Sequence, residues 1–76
     1  YIPGVVEEQE PQKVDINRAE VWLIKALPGI GEILAQRIVD YRQQNGLFSY
    51  TAEIMKVAGI GTTTYEQIKD LITVAD

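Results

Sequence analysis

Cysteine and histidine are both absent from the sequence. Without cysteine there is no disulfide framework and no thiolate metal site. Without histidine the commonest metal ligand and the commonest general base are gone. Neither a cofactor nor a metal is expected. The acidic residues Glu32, Asp40, Glu53, Glu66 and Asp70 fall on separate segments, and nothing pairs them as a general acid and base, which argues against a hydrolase. No apolar run approaches the roughly 20 residues of a membrane-spanning helix, and no signal-peptide pattern opens the chain. Positive charge is scarce as well: seven Lys and Arg stand against eleven Asp and Glu, a net charge of −4. That balance speaks against a nucleic-acid binder driven by bulk electrostatics. Part of the excess lies in residues 1–13, where Glu7, Glu8 and Glu10 face Lys13; residues 14–76 carry six basic and eight acidic side chains.

With 76 residues the chain holds one small domain. A domain of this size buries only about 60% of its unfolded surface. Residues 1–13 keep no period: Tyr1 to Val6 reads as a strand end and turn, and Glu7 to Lys13 as a polar, proline-punctuated linker. The domain proper is expected over residues 14–76. Val14-Asp15-Ile16 alternates and leads into Asn17, a helix N-cap. Ala19, Leu23, Ile24 and Leu27 recur at helical spacing, predicting a first helix from Arg18 to Ala26 or Leu27, stopped by Pro28.

A second helix opens at Glu32, carries Leu34, Ala35, Ile38, Tyr41 and Arg42 on one face, and ends at Asn45-Gly46. Leu47 and Phe48 are expected as core plugs in the connection. Ser49 or Thr51 is expected to cap a short third helix with Ile54, Met55 and Val57. Thr62 or Thr63 should cap a fourth, with Tyr65, Ile68, Leu71 and Ile72 inside. Thr73-Val74 reads as extended and is expected beside Val14–Ile16.

One stretch is written twice. Leu27-Pro28-Gly29-Ile30-Gly31 returns thirty residues later as Val57-Ala58-Gly59-Ile60-Gly61, and Ile24 and Ile38 return as Ile54 and Ile68. Two helix–turn–helix units duplicated this way are expected to pack as a pseudo-two-fold pair, since neither buries its apolar face alone. Glycine permits a positive φ and close backbone approach. Each glycine turn then opens a helix, leaving unpaired N–H groups at the positive end of its dipole, a ready anion site.

These residues, together with Asp15-Ile16-Asn17, the run from Ala35 to Arg42 and Asn45-Gly46-Leu47-Phe48, resemble the tandem helix-hairpin-helix domain of ComEA-type competence proteins. The resemblance covers Val14–Val74. It implies an all-α fold of four short helices in two units. It also implies a non-enzymatic module that binds double-stranded DNA without sequence preference during DNA uptake. Backbone amides would meet phosphates across the minor groove, those of Gly29, Gly31 and Glu32 on one strand and those of Gly59, Gly61 and Thr62 on the other, with Ile30 and Ile60 inside the same two hairpin sites and the hydroxyls of Thr62, Thr63 and Thr64 as further donors. Arg37 and Lys69 would add charge, beside Lys25 and Lys56.

The sequence departs from the family where a Lys or Arg commonly follows a hairpin glycine: Glu32 stands there in the first copy and Thr62 in the second. With about two to four phosphate contacts, the logarithmic salt slope would be only about −2 to −4. Trp22 reads as core, or as half exposed beside the hairpin.

Tyr1-Ile2-Pro3-Gly4 resembles the closing strand of a β-grasp domain, which implies a longer, extracytoplasmic, membrane-anchored parent. Partners implied are double-stranded DNA and other competence or membrane-channel proteins, with no small-molecule substrate. Two other readings stand beside this one: a protein-interaction module on the same scaffold with weak or no DNA affinity, and an accessory domain of a DNA repair or processing enzyme.

Overall fold

The computed structural model describes residues 4–6 and 13–74. The expected linker at Glu7 to Gln12 and the first three residues lie outside the described residues. In chain order the elements are β1 (Val5–Val6), β2 (Lys13–Asp15), α1 (Val21–Ile24), α2 (Glu32–Asn45), a 3-10 helix (Thr51–Lys56), α3 (Thr62–Ile68) and β3 (Ile72–Thr73). Helices carry the fold, as expected. A three-stranded sheet of order β1-β2-β3 is added to them.

The sheet closes the domain. β1 pairs antiparallel with β2, Val5 opposite Val14 and Val6 opposite Lys13. β3 pairs parallel with β2, Val14 opposite Ile72 and Asp15 opposite Thr73. The expected approach of the end of the chain to Val14–Ile16 is thus present: Val14 N–H donates to Leu71 O at 2.8 Å and Ile16 N–H to Thr73 O at 3.0 Å. A parallel pair needs a long crossover, and here the crossover is the whole helical body. Gly4, at φ 87°, accepts a hydrogen bond from Asp15 N–H, and a Cβ on it would overlap the Ala19 backbone. This close approach requires glycine.

The core repeats with the sequence. Ile24 and Ile54, Leu27 and Val57, Ile30 and Ile60, and Ile38 and Ile68 are all buried, and Ile16, Ala19, Ala35, Val39, Phe48 and Ile72 complete the cluster. Burying a side chain of this kind contributes about 1.5–3 kcal/mol. Ala35 is fully buried where α2 meets its neighbours, as its small size predicted. Of the two expected plugs only Phe48 enters, stacked on Tyr41 with centroids 5.2 Å apart; Leu47 is 67% exposed. Met55 and Leu71 also face outward rather than inward.

Local expectations at the helix starts are corrected. The first helix is a single turn, Val21–Ile24, not Arg18 to Ala26 or Leu27. Asn17 does not cap it. Its side chain accepts Phe48 N–H at 2.7 Å and donates to Phe48 O at 2.9 Å, tying the start of the domain to the connection between its halves. Asp15 holds Asn17 in place through an Asn17 N–H to Oδ1 bond of 2.9 Å.

The third helix is 3-10, and neither Ser49 nor Thr51 caps it: Tyr50 is the N-cap residue. Glu53 reaches back instead to accept Ser49 N–H at 2.7 Å. At α3 neither Thr62 nor Thr63 is the cap, because Gly61 takes that place. The stop at Asn45-Gly46 holds, with Gly46 at φ 92°.

Candidate nucleic-acid interface

Each hairpin is built by the same ladder of turns. Leu27 N–H bonds Ile24 O and Ile30 N–H bonds Leu27 O; thirty residues on, Val57 bonds Ile54 and Ile60 bonds Val57, all at 3.0–3.1 Å. Ile30 and Ile60 are buried and anchor the hairpins to the core. They present no side chain to a ligand.

The first helical bond after each hairpin comes from Ala35 N–H to Gly31 O at 2.9 Å and from Tyr65 N–H to Gly61 O at 3.0 Å. The amides at the start of each helix, from Glu32 and from Thr62, therefore lack intrahelical acceptors. Gly31 and Gly61 are the N-cap residues, and neither helix receives a side-chain cap. The two amide sets are thus free to take an external acceptor.

The glycines divide into two kinds. Gly29 and Gly59 have φ of 81° and 94°, a backbone that L side chains rarely adopt. Gly31 and Gly61 have φ of −89° and −105°, which any residue adopts, and a Cβ there would meet nothing within 4 Å. The fold needs the first glycine of each copy and has no use of its own for the second.

The two halves clasp each other reciprocally. From α2, Arg37 reaches over the second hairpin, where Nη1 donates to Ala58 O at 3.1 Å. A Cβ on Gly59 would lie 2.7 Å from Leu34 Cδ2 and 3.0 Å from Arg37 Nη1. From α3, Gln67 reaches over the first hairpin, its Oε1 2.8 Å from where a Cβ on Gly29 would stand. Arg37 therefore brings its charge to the second hairpin, not the one that precedes it in sequence. Gln67 is a site residue that sequence reasoning missed. The signal was present, since Gln67 stands thirty residues after Arg37, the same offset that relates the hairpins.

Glu32 lies at the mouth of the first hairpin and turns toward α1, its Oε1 3.4 Å from Lys25 Nζ. Thr62 and Thr63 are exposed at the second hairpin and Thr64 is half-buried. Lys69 is not brought to the amides: it follows the last residue of α3, about 12 Å along the helix axis from Gly61. There it pairs with Glu66 at 2.8 Å, and that hydrogen bond holds its ammonium above the usual lysine range. Lys56 pairs with Glu53 at 3.8 Å.

Among Lys25, Arg37, Lys56 and Lys69, three thus have a carboxylate neighbour and the fourth a carbonyl. Surface pairs of this kind are weak and screened by salt, so a phosphate oxygen can displace the carboxylate. Arg42 is half-buried and donates to Ile16 O at 2.8 Å. Burial pulls its pKa down, and the charges of Asp15 and Glu20 push it back up. Among the described residues no group of His, Cys, Asp or Glu could hold a metal ion, and no helix is long and apolar enough to cross a membrane.

Comparison with known proteins agrees with this geometry. The family model described as helix-hairpin-helix motif matches residues 9–73. ComE operon protein 1 of Bacillus subtilis is 41% identical over 61 residues, 80% of this chain and 30% of that protein, in keeping with the ComEA-type resemblance. The transcriptional accessory protein Tex of Neisseria gonorrhoeae is 41% identical over 54 residues, 71% of this chain and 7% of that protein. Endonuclease/exonuclease/phosphatase family domain-containing protein 1 of Mus musculus is 34% identical over 64 residues, 84% of this chain and 11% of that protein. The chain spans less than a third of the length of these three relatives. Two copies of one hairpin, in a chain matched by the family model over nearly its whole described length, lead to one assignment: the chain belongs to the helix-hairpin-helix family.

Proposed function

We propose that this domain binds double-stranded DNA without reading its sequence, through two sets of backbone amides that take phosphates on either side of the minor groove. The observation that carries the reading is the open glycine at each helix start. Gly31 and Gly61 adopt an ordinary backbone with empty space where a side chain would stand. Leaving out the side chain there lets a ligand come up to the amides. Phosphate contacts position a duplex and carry no base information, which suits a module that must accept any sequence.

The first set comprises Gly29, Gly31 and Glu32. The second comprises Gly59, Gly61 and Thr62, with the hydroxyls of Thr63 and Thr64 beside it and Arg37 supplying charge. Glu32 stays clear of the phosphate while it pairs with Lys25. The module is non-enzymatic. Its likeness to ComE operon protein 1 supports a place in DNA uptake for competence. The parent in this reading is extracytoplasmic and membrane-anchored and also contacts other competence or channel proteins.

The test is a titration with random-sequence duplex at low and moderate salt. Gly31→Ala and Gly61→Ala should leave the melting temperature within about 2 °C, because both sites are open and strain-free. Each should weaken binding about tenfold, the loss of one charge-assisted hydrogen bond. Equal affinity in the variants would defeat the amide clamp. A second reading, a protein-interaction module, draws on the carboxylates that shadow Lys25, Lys56 and Lys69. It is favoured if the folded protein binds no duplex at low salt.

A further inference from the structure

Beside the first hairpin lies an open groove of about 580 Å³ between α1 and α2; the cavity at the second hairpin, about 390 Å³ beside Val57 and Ala58, has no tryptophan in its lining. In the groove, Trp22 and Lys25 line one wall, and Glu32, Val39, Arg42 and Gln43 of α2 line the other. Its size is within the roughly 300–1,000 Å³ of small-ligand sites. Trp22 is 51% exposed although it is the one tryptophan of the chain and the core is only a residue away at Leu23 and Ile24. The thirty-residue repeat puts Ala52 where Trp22 stands, so the ring belongs to one half only.

The geometry points to this groove as a pocket for an unpaired nucleobase of the strand held at the first hairpin, so that the domain prefers a duplex with a single-stranded extension to a blunt one. This rests on the DNA reading above. Three observations select the occupant. Glu32 opens α2 at the hairpin's amide set and also lines the groove, so a nucleotide whose phosphate meets those amides has its base within reach of the groove. The exposed indole offers a flat π-face, and a base inside a duplex already has both faces covered, so only an unpaired base can stack on it.

The third observation is the opposite wall, which suits a base edge. Arg42 spends Nη1 on Ile16 O and keeps its other donors, while the Gln43 amide both donates and accepts. The groove's charges, Lys25 and Arg42 against Glu20 and Glu32, cancel, as a neutral base requires.

The experiment uses the 76-residue chain and its single tryptophan as the reporter. Three probes are compared at one salt concentration: a blunt random-sequence duplex, the same duplex with a short thymidine tail, and a thymidine oligomer alone. The tailed duplex should quench Trp22 emission and bind about five- to 150-fold more tightly than the blunt one, the worth of one stacked base. Trp22→Ala should bring the tailed duplex down to the blunt affinity and leave the blunt affinity unchanged. Trp22→Phe should keep most of the preference, and melting curves of both variants check the fold.

Equal affinity for tailed and blunt duplex in the parent protein, or unchanged Trp22 emission, overturns the proposal. If no duplex binds, the amide clamp fails. Quenching by the thymidine oligomer would then still support the groove, whereas silence with all three probes removes both.

Discussion

A positive φ and an empty Cβ position are two different reasons for a glycine, and the hairpins use one of each. Gly29→Ala places a side chain in a left-handed backbone, at about 1–2 kcal/mol, but the group it meets is the tip of Gln67, which can move. Gly59→Ala carries the same strain and also strikes Leu34 and the Arg37 guanidinium. The expected order in thermal melts is therefore parent, then Gly29→Ala, then Gly59→Ala, with Gly29→Ala lowering the midpoint by about 4–16 °C. Gly59→Ala midpoints equal to those of Gly29→Ala would show that Leu34 and Arg37 yield freely.

Glu32→Gln tests the opposite sign: it removes a negative charge beside the phosphate site and releases Lys25 from its pair. Duplex affinity should rise about two- to fivefold at low salt, in line with the small worth of an exposed pair. The gain should fade as salt screens it.

Much at this scale was readable beforehand. The repeated Gly-Ile-Gly and the buried isoleucines at offset thirty follow from pattern alone. Threonine as the cap of α3 did not hold, because the hairpin leaves Gly61 at the N-cap position and carries Thr62 into the first turn. Local preference is a weaker force than the turn that precedes it.

Among the elements, α1 departs most from its forecast. The periodicity of Ala19, Leu23 and Ile24 is real and all three face inward, yet only one turn is helical. The reason is Asp15-Ile16-Asn17, which forms a knot rather than a cap. The Asp15 carboxylate is buried, holds Asn17 N–H, and has Arg18 Nε 3.6 Å from Oδ2. Asn17 then grips the backbone of Phe48, thirty-one residues away. No sequence window reveals a partner at that distance, and a cap was the natural reading of Asn before an apolar-periodic run. Asn17→Ala leaves two backbone groups of Phe48 without partners, and at about 1–2 kcal/mol each the domain should lose about 2–4 kcal/mol. Denaturant unfolding measures it. A loss below about 1 kcal/mol would mean that water replaces the clamp.

The reciprocal clasp is likewise an element-scale fact. Arg37 and Gln67 sit on outward faces of their own helices, and only the arrangement of the two halves shows that each covers the other's hairpin. Sequence placed Arg37 correctly on α2 and left open which hairpin it serves.

At the scale of the molecule, charge decides how the proposed binding behaves. A net charge of −4 and ion-paired lysines leave few counterions to release. The logarithm of the association constant should fall with the logarithm of salt at a slope of about −2 to −4. A slope steeper than about −6 would require contacts beyond the two hairpins. The same balance explains why composition alone argued against nucleic acid: amide donors and helix dipoles do not register in a count of charged side chains.

The sheet has a mechanical consequence. β1 and β3 flank β2, and the chain enters at Gly4 and leaves at Val74 at the same end of the sheet, two strand spacings or about 10 Å apart. Tension applied between these two points peels the edge strands away from β2 one hydrogen bond at a time. It does not run through the hairpins until the sheet has opened. The helical body hangs from its flanks as a pendant rather than standing in line with them, so a load carried along the chain is met first by a few strand bonds and reaches the glycine turns last.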